Sequence, residues 1–317
     1  MDNNRIRIIA TESLGVRGLC CVVKTASRKI VIDPGIALGY TRKGLLPHPV
    51  QIAVDEIIQK RILKHLQTAT DVIFSHFHGD HIPLANANPY QLSLEKVRPL
   101  LKDVNIWAKG NNEDSHKMKE RAWNLKMNFK TYKIADGKNI KGLTFSYPVP
   151  HGEENSHLGK VMVSKIKVGN KNFVHASDIQ LLSRKAINEV VKLKADIVLA
   201  SGPPIYLPHL SAEDRKNARN NALKLSNEVP LLIIDHHLLR CQEGLQWLRN
   251  LDREANNRIV CAADVMKHPP QLLEARRCEL YQKMPVKDNW HNKYAAGKVG
   301  TRNYLLKARE IIEDFIY

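Results

Sequence analysis

Residues 75 to 81 read Ser75-His76-Phe77-His78-Gly79-Asp80-His81, directly after the apolar run Asp71-Val72-Ile73-Phe74. That run reads as a short buried strand, so three imidazoles and a carboxylate arrive at a strand end, where a rigid scaffold can hold them. Neutral imidazole and ionised carboxylate are ligands for zinc and related divalent ions. His76 and His78, at i and i+2, project to one side of an extended chain. Gly79 permits a sharp turn that returns Asp80 and His81 to the same space. Four ligands so tightly spaced are too many for one ion, whereas two adjacent ions can share them. A loop that happens to be rich in histidine explains any one of these residues, but not their density and order.

Around this stretch, composition sets the bounds. A chain of 317 residues suffices for one large domain or two ordinary ones, and 43% hydrophobic residues allow a sizeable core and exclude wholesale disorder. The charge is strongly basic, 49 Lys+Arg against 32 Asp+Glu for a net +17, which implies encounters with anions, nucleic acid and phosphorylated molecules first among them. The five cysteines, Cys20, Cys21, Cys241, Cys261 and Cys278, are odd in number and form no CxxC, so we expect reduced thiols in a cytoplasmic protein. Met1 to Arg5 lead directly into a strand-like segment with no legible signal peptide, and no apolar run reaches membrane-spanning length.

Along the chain, Ile6 to Ala10, Gly18 to Lys24 and Lys29 to Asp33 read as strands, the last ending in the turn Asp33-Pro34-Gly35. Tyr40 to Pro49 is a loop exposing Arg42 and Lys43. Val50 to Gln67 is an amphipathic helix, in which His65 reads as a surface or half-buried histidine. Leu94 to Leu101 is a helix interrupted by Pro99, Val104 to Ala108 a strand, and Asn112 to Ser115 start a polar helix carrying Trp123. The pattern from Lys130 to Ala176 is β. The second half alternates helices (Leu182 to Lys194, Ser211 to Ser226, Gly244 to Leu251, Pro270 to Gln282) with strands (Asp196 to Ala200, Pro230 to Ile234, Arg258 to Ala262), and Arg302 to Tyr317 is a last helix. With no linker or repeat in view, we expect a single domain over residues 1–317 with a C-terminal helical extension from about residue 285.

Further candidate ligands fall at strand ends: His151 after Tyr147-Pro148-Val149-Pro150, Asp178 after Phe173 to Ala176, and His236 after Leu231 to Ile234. Taken with the opening cluster, and in this order, the chain resembles the metallo-β-lactamase superfamily of metal-dependent hydrolases. His76-Phe77-His78-Gly79-Asp80-His81 matches that superfamily's H-x-H-x-D-H signature, and the likeness extends from about Asp33 to Arg240. It looks especially like a small archaeal branch described only as metal-dependent hydrolases, through Asp33-Pro34-Gly35, Val149-Pro150-His151-Gly152-Glu153 and Asp235-His236-His237-Leu238-Leu239-Arg240. The resemblance implies an α/β fold, a four-layered αβ/βα sandwich, with a di-metal site at one edge. It implies that His76, His78 and His151 hold one ion, that Asp80, His81 and His236 hold the other, and that Asp178 bridges them. Asp33 would orient a ligand histidine. Of the neighbours His236 and His237, only one is expected to face the site. His236 is preferred because Arg240 follows four positions later, as in ribonuclease Z-like members. His157 is a weak rival to His151, and His175 reads as a core residue.

Two divalent ions, zinc first and iron or manganese as alternatives, would activate a water for hydrolysis, and Asp80 would also hold that nucleophile. The charge tilts the choice toward a phosphodiesterase acting on RNA, DNA or a nucleotide. Arg240 is a candidate phosphate fork, with Arg42, Lys43, Lys293, Lys298 and Arg302 as outlying cations. No exosite arm or β-CASP-like insertion is seen. The other readings are hydrolysis of an ester, thioester or lactone, and a non-catalytic nucleic-acid-binding protein. No membrane partner is expected, and homo-oligomerisation is left open.

Overall fold

A computed structural model describes residues 5–154, 157–256 and 258–317; Met1–Asn4, where no signal peptide is expected, lie outside them. The β-branched runs of the first half pair into one sheet in simple chain order: β1 (Ile6–Ala10), β2 (Cys20–Lys24), β3 (Lys29–Ile32), β4 (Asp71–Phe74), β5 (Asn105–Ala108) and β6 (Tyr132–Ile134). The first three are antiparallel and β3 to β6 are parallel. The period of two divides their side chains cleanly. Ile30, Ile32, Ile73 and Trp107 face the second sheet. Val31, Val72, Phe74 and Ile106 face the helices α1 (Pro49–Leu66), α2 (Leu94–Val97) and α3 (His116–Asn128).

The second sheet collects β7 (Asn139–Ile140), β8 (Leu143–Phe145), β11 (Ser164–Val168), β12 (Lys171–Ser177), β13 (Ile197–Ala200), β14 (Leu231–Ile234) and β15 (Ile259–Val260), while β9 (Val149–Pro150) and β10 (Lys160–Val161) form a separate small hairpin. From β12 to β15 the strands are parallel. Their outer face is covered by α4 (Arg184–Lys192), α5 (Ala212–Glu228) and α6 (Gln242–Glu254), whose Ile187, Val190, Ala222, Leu225 and Leu248 are fully buried in the same core. Helices, sheet, sheet and helices thus form the expected four layers. Each fully buried aliphatic side chain contributes roughly 1.5–3 kcal/mol, and this drives the layering.

Near Pro99 the helical stretch is interrupted as expected: the short α2 gives way to a 3-10 turn, Arg98–Leu100. Several boundaries differ from the sequence reading for identifiable reasons. The short strand β15 is followed by a helix, α7 (Ala262–Met266), that the pattern did not announce. The helix expected from Pro270 begins only at α8 (Arg277–Lys283). The preceding residues are claimed by distant partners: Gln271 N–H donates to Ser13 O (2.8 Å), and Glu274 pairs with Arg17 and Arg42. After α9 (Trp290–Ala295), the last helix, α10 (Arg302–Ile311), stops short of the terminus. The chain folds back instead, and Tyr317 Oη donates to Leu14 O (2.6 Å). Both α9 and α10 pack on the outer face of α1, with Trp290 and Ala308 in that core. Among the described residues, no helix is long and apolar enough to cross a membrane.

Candidate metal centre

Parallel strands end on the same rim, and here the C-terminal ends of β3 and β4 face those of β12 and β14 across the sandwich. Three of these ends turn sharply through left-handed residues that are not glycine: Asp33 (φ 46°), Ser177 (φ 51°) and His236 (φ 45°). Such residues are uncommon, and the strain they store persists only where surrounding contacts over-determine it. The contacts are present. Asp33 accepts from Ser75 N–H (2.8 Å), Ser75 Oγ (2.6 Å) and Ser177 Oγ (2.8 Å), and lies 3.1 Å from His81 Nδ1. In the second sheet Asp235 plays the matching part. It accepts from His236 N–H (2.8 Å), Thr11 Oγ1 (2.8 Å), Ser13 N–H (3.0 Å) and Ala262 N–H (2.9 Å).

These turns aim side chains at one carboxylate, Asp178. Its Oδ2 lies 3.0 Å from His151 Nε2, 3.1 Å from His237 Nε2, 3.4 Å from His76 Nε2 and 4.0 Å from His78 Nδ1. Its Oδ1 lies 3.1 Å from His81 Nε2 and 3.6 Å from His236 Nε2. Asp80 Oδ2 is 3.4 Å from His236 Nε2. Two sets of donors therefore stand side by side and are spaced to close on an ion: His76, His78, His151 and Asp178, and Asp80, His81 and His236. His65 and His157 lie outside this cluster, and His175 is buried with Nε2 on Leu19 O (3.0 Å).

The protonation states of His76 and His236 suit metal binding, whereas, despite burial, Asp178 and then Asp33 hold the His81 imidazolium well above its usual range, a proton that a bound cation would displace. Burial, and then the neighbouring His81, push the His76 imidazolium down to about 3; burial and then Arg240 bring His236 down to about 4. Both rings are neutral at physiological pH. Burial alone would raise Asp33, but the hydrogen bond to His81 and nearby imidazoles bring it down to about 2, so an ionised carboxylate fixes His81 with Nδ1–H toward Asp33 and Nε2 toward Asp178. His76 Nε2 and Asp178 Oδ1 are buried without a hydrogen-bond partner among the described residues. Buried polar atoms seldom go unpaired; a cation between them would satisfy both. The donor set fits divalent ions of the kind that imidazole and carboxylate hold.

Two expectations change. His236 and His237 both face the site, not one alone. His236 is a turn residue rather than a strand residue, and the 3-10 turn Leu238–Arg240 follows at once, so successive side chains splay about Asp178 instead of alternating. Arg240 is not a free phosphate fork. Its Nε donates to Glu12 Oε1 (3.0 Å), Nη2 to Asp80 Oδ2 (3.2 Å) and His236 Nε2 (2.8 Å), and Nη1 to Tyr206 Oη (3.3 Å). It braces Asp80 and His236. Arg42, expected as an exposed loop residue, is tucked in against Glu274, the Arg240 carbonyl and the Tyr206 ring.

Behind Arg240 lies a buried ion network that the sequence did not reveal: Glu12, Glu274, Arg17 and Arg42. Burial and the adjacent Glu274 raise Glu12 to about 8, while Arg17 and Arg240 hold Glu274 low despite its burial. Glu12 and Arg240 are 228 positions apart. The one local signal was the polar Thr11-Glu12-Ser13 run at the end of β1.

Two facing sheets with helices outside, H-x-H-x-D-H at the end of β4 and an aspartate opposite at the end of β12 define the metallo-β-lactamase fold. Within it the chain belongs to the UPF0282 family. It is 43% identical over 303 residues to the UPF0282 protein of Methanosarcina mazei, covering 95% of this chain and all of that one. It is 32% identical over 290 residues to the UPF0282 protein of Thermococcus gammatolerans, covering 88% and 95%. No family model matches. Among solved structures, it is similar to Tm1679, a metal-dependent hydrolase of the β-lactamase superfamily, at 12% identity and a TM-score of 0.49 over 81% of this chain and 94% of that one.

Proposed function

We propose that the chain is a metal-dependent hydrolase whose two divalent ions, zinc first among the candidates, are held on either side of Asp178 and whose substrates are phosphodiesters of nucleic acid or nucleotides. The observation that supports this most is the division of imidazoles between the two oxygens of Asp178. His76, His78, His151 and His237 surround Oδ2, and His81 and His236 approach Oδ1, with Asp80 completing the second set. Bound there, paired divalent ions supply a hydroxide at neutral pH and polarise the substrate oxygen.

The protein's own residues do the rest. Asp33 holds the His81 tautomer, and Ser75 Oγ lies 2.9 Å from His76 Nδ1, leaving Nε2 of each ring free to coordinate. Arg240 holds Asp80 against His236. An anionic substrate is favoured by the net charge of +17. Arg17 and Arg42 are partly exposed but paired with Glu274, and Arg121 reaches in from α3 to donate to Phe77 O (3.1 Å).

The test is to offer the metal-loaded protein bis-p-nitrophenyl phosphate, a generic thioester and labelled single-stranded RNA. Phosphodiester turnover that is lost in His78→Ala is the expected result. Turnover of the thioester alone would overturn the substrate class, and a His78→Ala protein with full metal content and full turnover would overturn the site.

A further inference from the structure

At the far end of the same strands, away from the histidines, the outer face of the first sheet carries a second concave site. It is a cavity of about 410 Å³ whose wall includes Arg7 from β1, Lys29 from the start of β3, Arg61, Lys64 and His65 from α1, and His268. No aspartate or glutamate side chain lines it. The carboxyl end of a helix attracts cations, which explains Lys64 and His65 in the last turn of α1. It does not explain Arg7 and Lys29, which stand on strands, or Arg61, a turn earlier.

These cations have no ion-pair partner among the described residues. Among the described residues the Lys29 ammonium donates to Thr68 Oγ1 alone, and the Arg61 guanidinium lies over the Tyr317 ring, 5.3 Å from its centroid. The main-chain oxygen of Tyr317 is already taken by Arg309 Nε (2.7 Å). His65 Nδ1 is buried and unpartnered. Burial first, and then Lys29, Arg7, Lys24 and Lys64, depress its imidazolium to about 4. The floor is apolar, with Ile9, Met266 and Ile316 beside the Tyr317 ring. Cations on one wall and flat apolar surface on the other suit a ligand with an anionic head and a planar body. The volume lies in the range of small-molecule sites, about 300–1,000 Å³.

We propose that this cavity is a binding site for a small phosphorylated ligand of nucleotide class, its phosphate held by Arg7, Arg61 and Lys64 and its base laid on the apolar floor of Met266 and Ile316. It is distinct from the metal centre and requires no chemistry there. The test is a titration of the metal-loaded full chain with trinitrophenyl-ATP, followed by displacement with AMP, ATP and inorganic phosphate. One saturable equivalent that survives chelation of the metal is expected, displaced by the nucleotides better than by phosphate. Binding should weaken by at least about tenfold in Arg61→Ala/Lys64→Ala and in Lys64→Glu, all exposed positions compatible with folding, and hold unchanged in His78→Ala. Absence of saturable nucleotide binding overturns the proposal. So does binding lost in His78→Ala but kept in the α1 variants, which would place the nucleotide at the metal centre. Binding of single-stranded RNA that the α1 variants weaken, without mononucleotide binding, also overturns it.

Discussion

Replacing Asp33 by asparagine separates the orienting role of this residue from its backbone role. Asp33 sits at φ 46°, a conformation that asparagine tolerates as well as aspartate, so the turn itself is preserved. The carboxamide oxygen can keep the Ser75 N–H bond, and the hydroxyls of Ser75 and Ser177 can rotate to accept from the new NH₂. His81 cannot adapt so easily. Its Nδ1–H, now 3.1 Å from a carboxylate oxygen, would face an N–H donor. Either that clash remains, or the ring moves its proton to Nε2 and blocks the nitrogen aimed at Asp178. Losing a hydrogen bond to a charged group costs about 1.5–3 kcal/mol, which converts to a loss of about 10–100-fold in affinity for an ion held by Asp80, His81 and His236. Competition against a chromogenic chelator, with cobalt absorption to distinguish the two positions, reads this directly. The expected outcome is one tight ion retained and one weakened in Asp33→Asn. If both ions bind with wild-type affinity, the orienting role of Asp33 is wrong.

Other outcomes follow from local geometry. A Cβ at Gly35 would lie 2.0 Å from Ile82 N and 2.2 Å from His81 C, main chain that no rotamer change can relieve, so Gly35→Ala should cost on the order of 3 kcal/mol, seen as a lower Tm and impaired metal uptake. Asp55 is wholly buried in α1 with only Gln59 Nε2 (2.7 Å) as partner, and burial raises its carboxyl to about 8. The folded chain therefore holds a proton that the unfolded chain releases near pH 4, and stability falls as pH rises from about 4 to 8, by at most about 6 kcal/mol. Asp55→Asn should flatten the difference in Tm between pH 5 and pH 8, and an unchanged difference would refute this assignment. Adding zinc after chelation should raise Tm by several degrees, since binding to the folded state alone stabilises it by about 4 kcal/mol at a thousandfold excess over Kd; a Tm indifferent to metal would count against a built site.

Local pattern made much of this legible. The His76–His81 run carried its own spacing, and the Asp33, Asp178 and His236 strand ends announced themselves by apolar runs closing on polar turns. The sheets were legible because each strand alternates or runs apolar over a recognisable length. Whatever depends on partners far along the chain stayed hidden. The segment before Arg277 looks helical by periodicity, but Ser13 and Arg17 claim Gln271 and Glu274. Arg240 looked like a free fork because nothing within its own helix turn reveals Glu12 across the sandwich. The expectation that only one of His236 and His237 faces the site fails because the left-handed turn at His236 lets both do so.

The most direct measurement is the anomalous scattering of zinc in crystals of the loaded protein. Two peaks about 3.5–4 Å apart are expected on either side of Asp178, one among His76, His78 and His151 and the other among Asp80, His81 and His236. A single peak, or peaks away from Asp178, would contradict the two-ion centre.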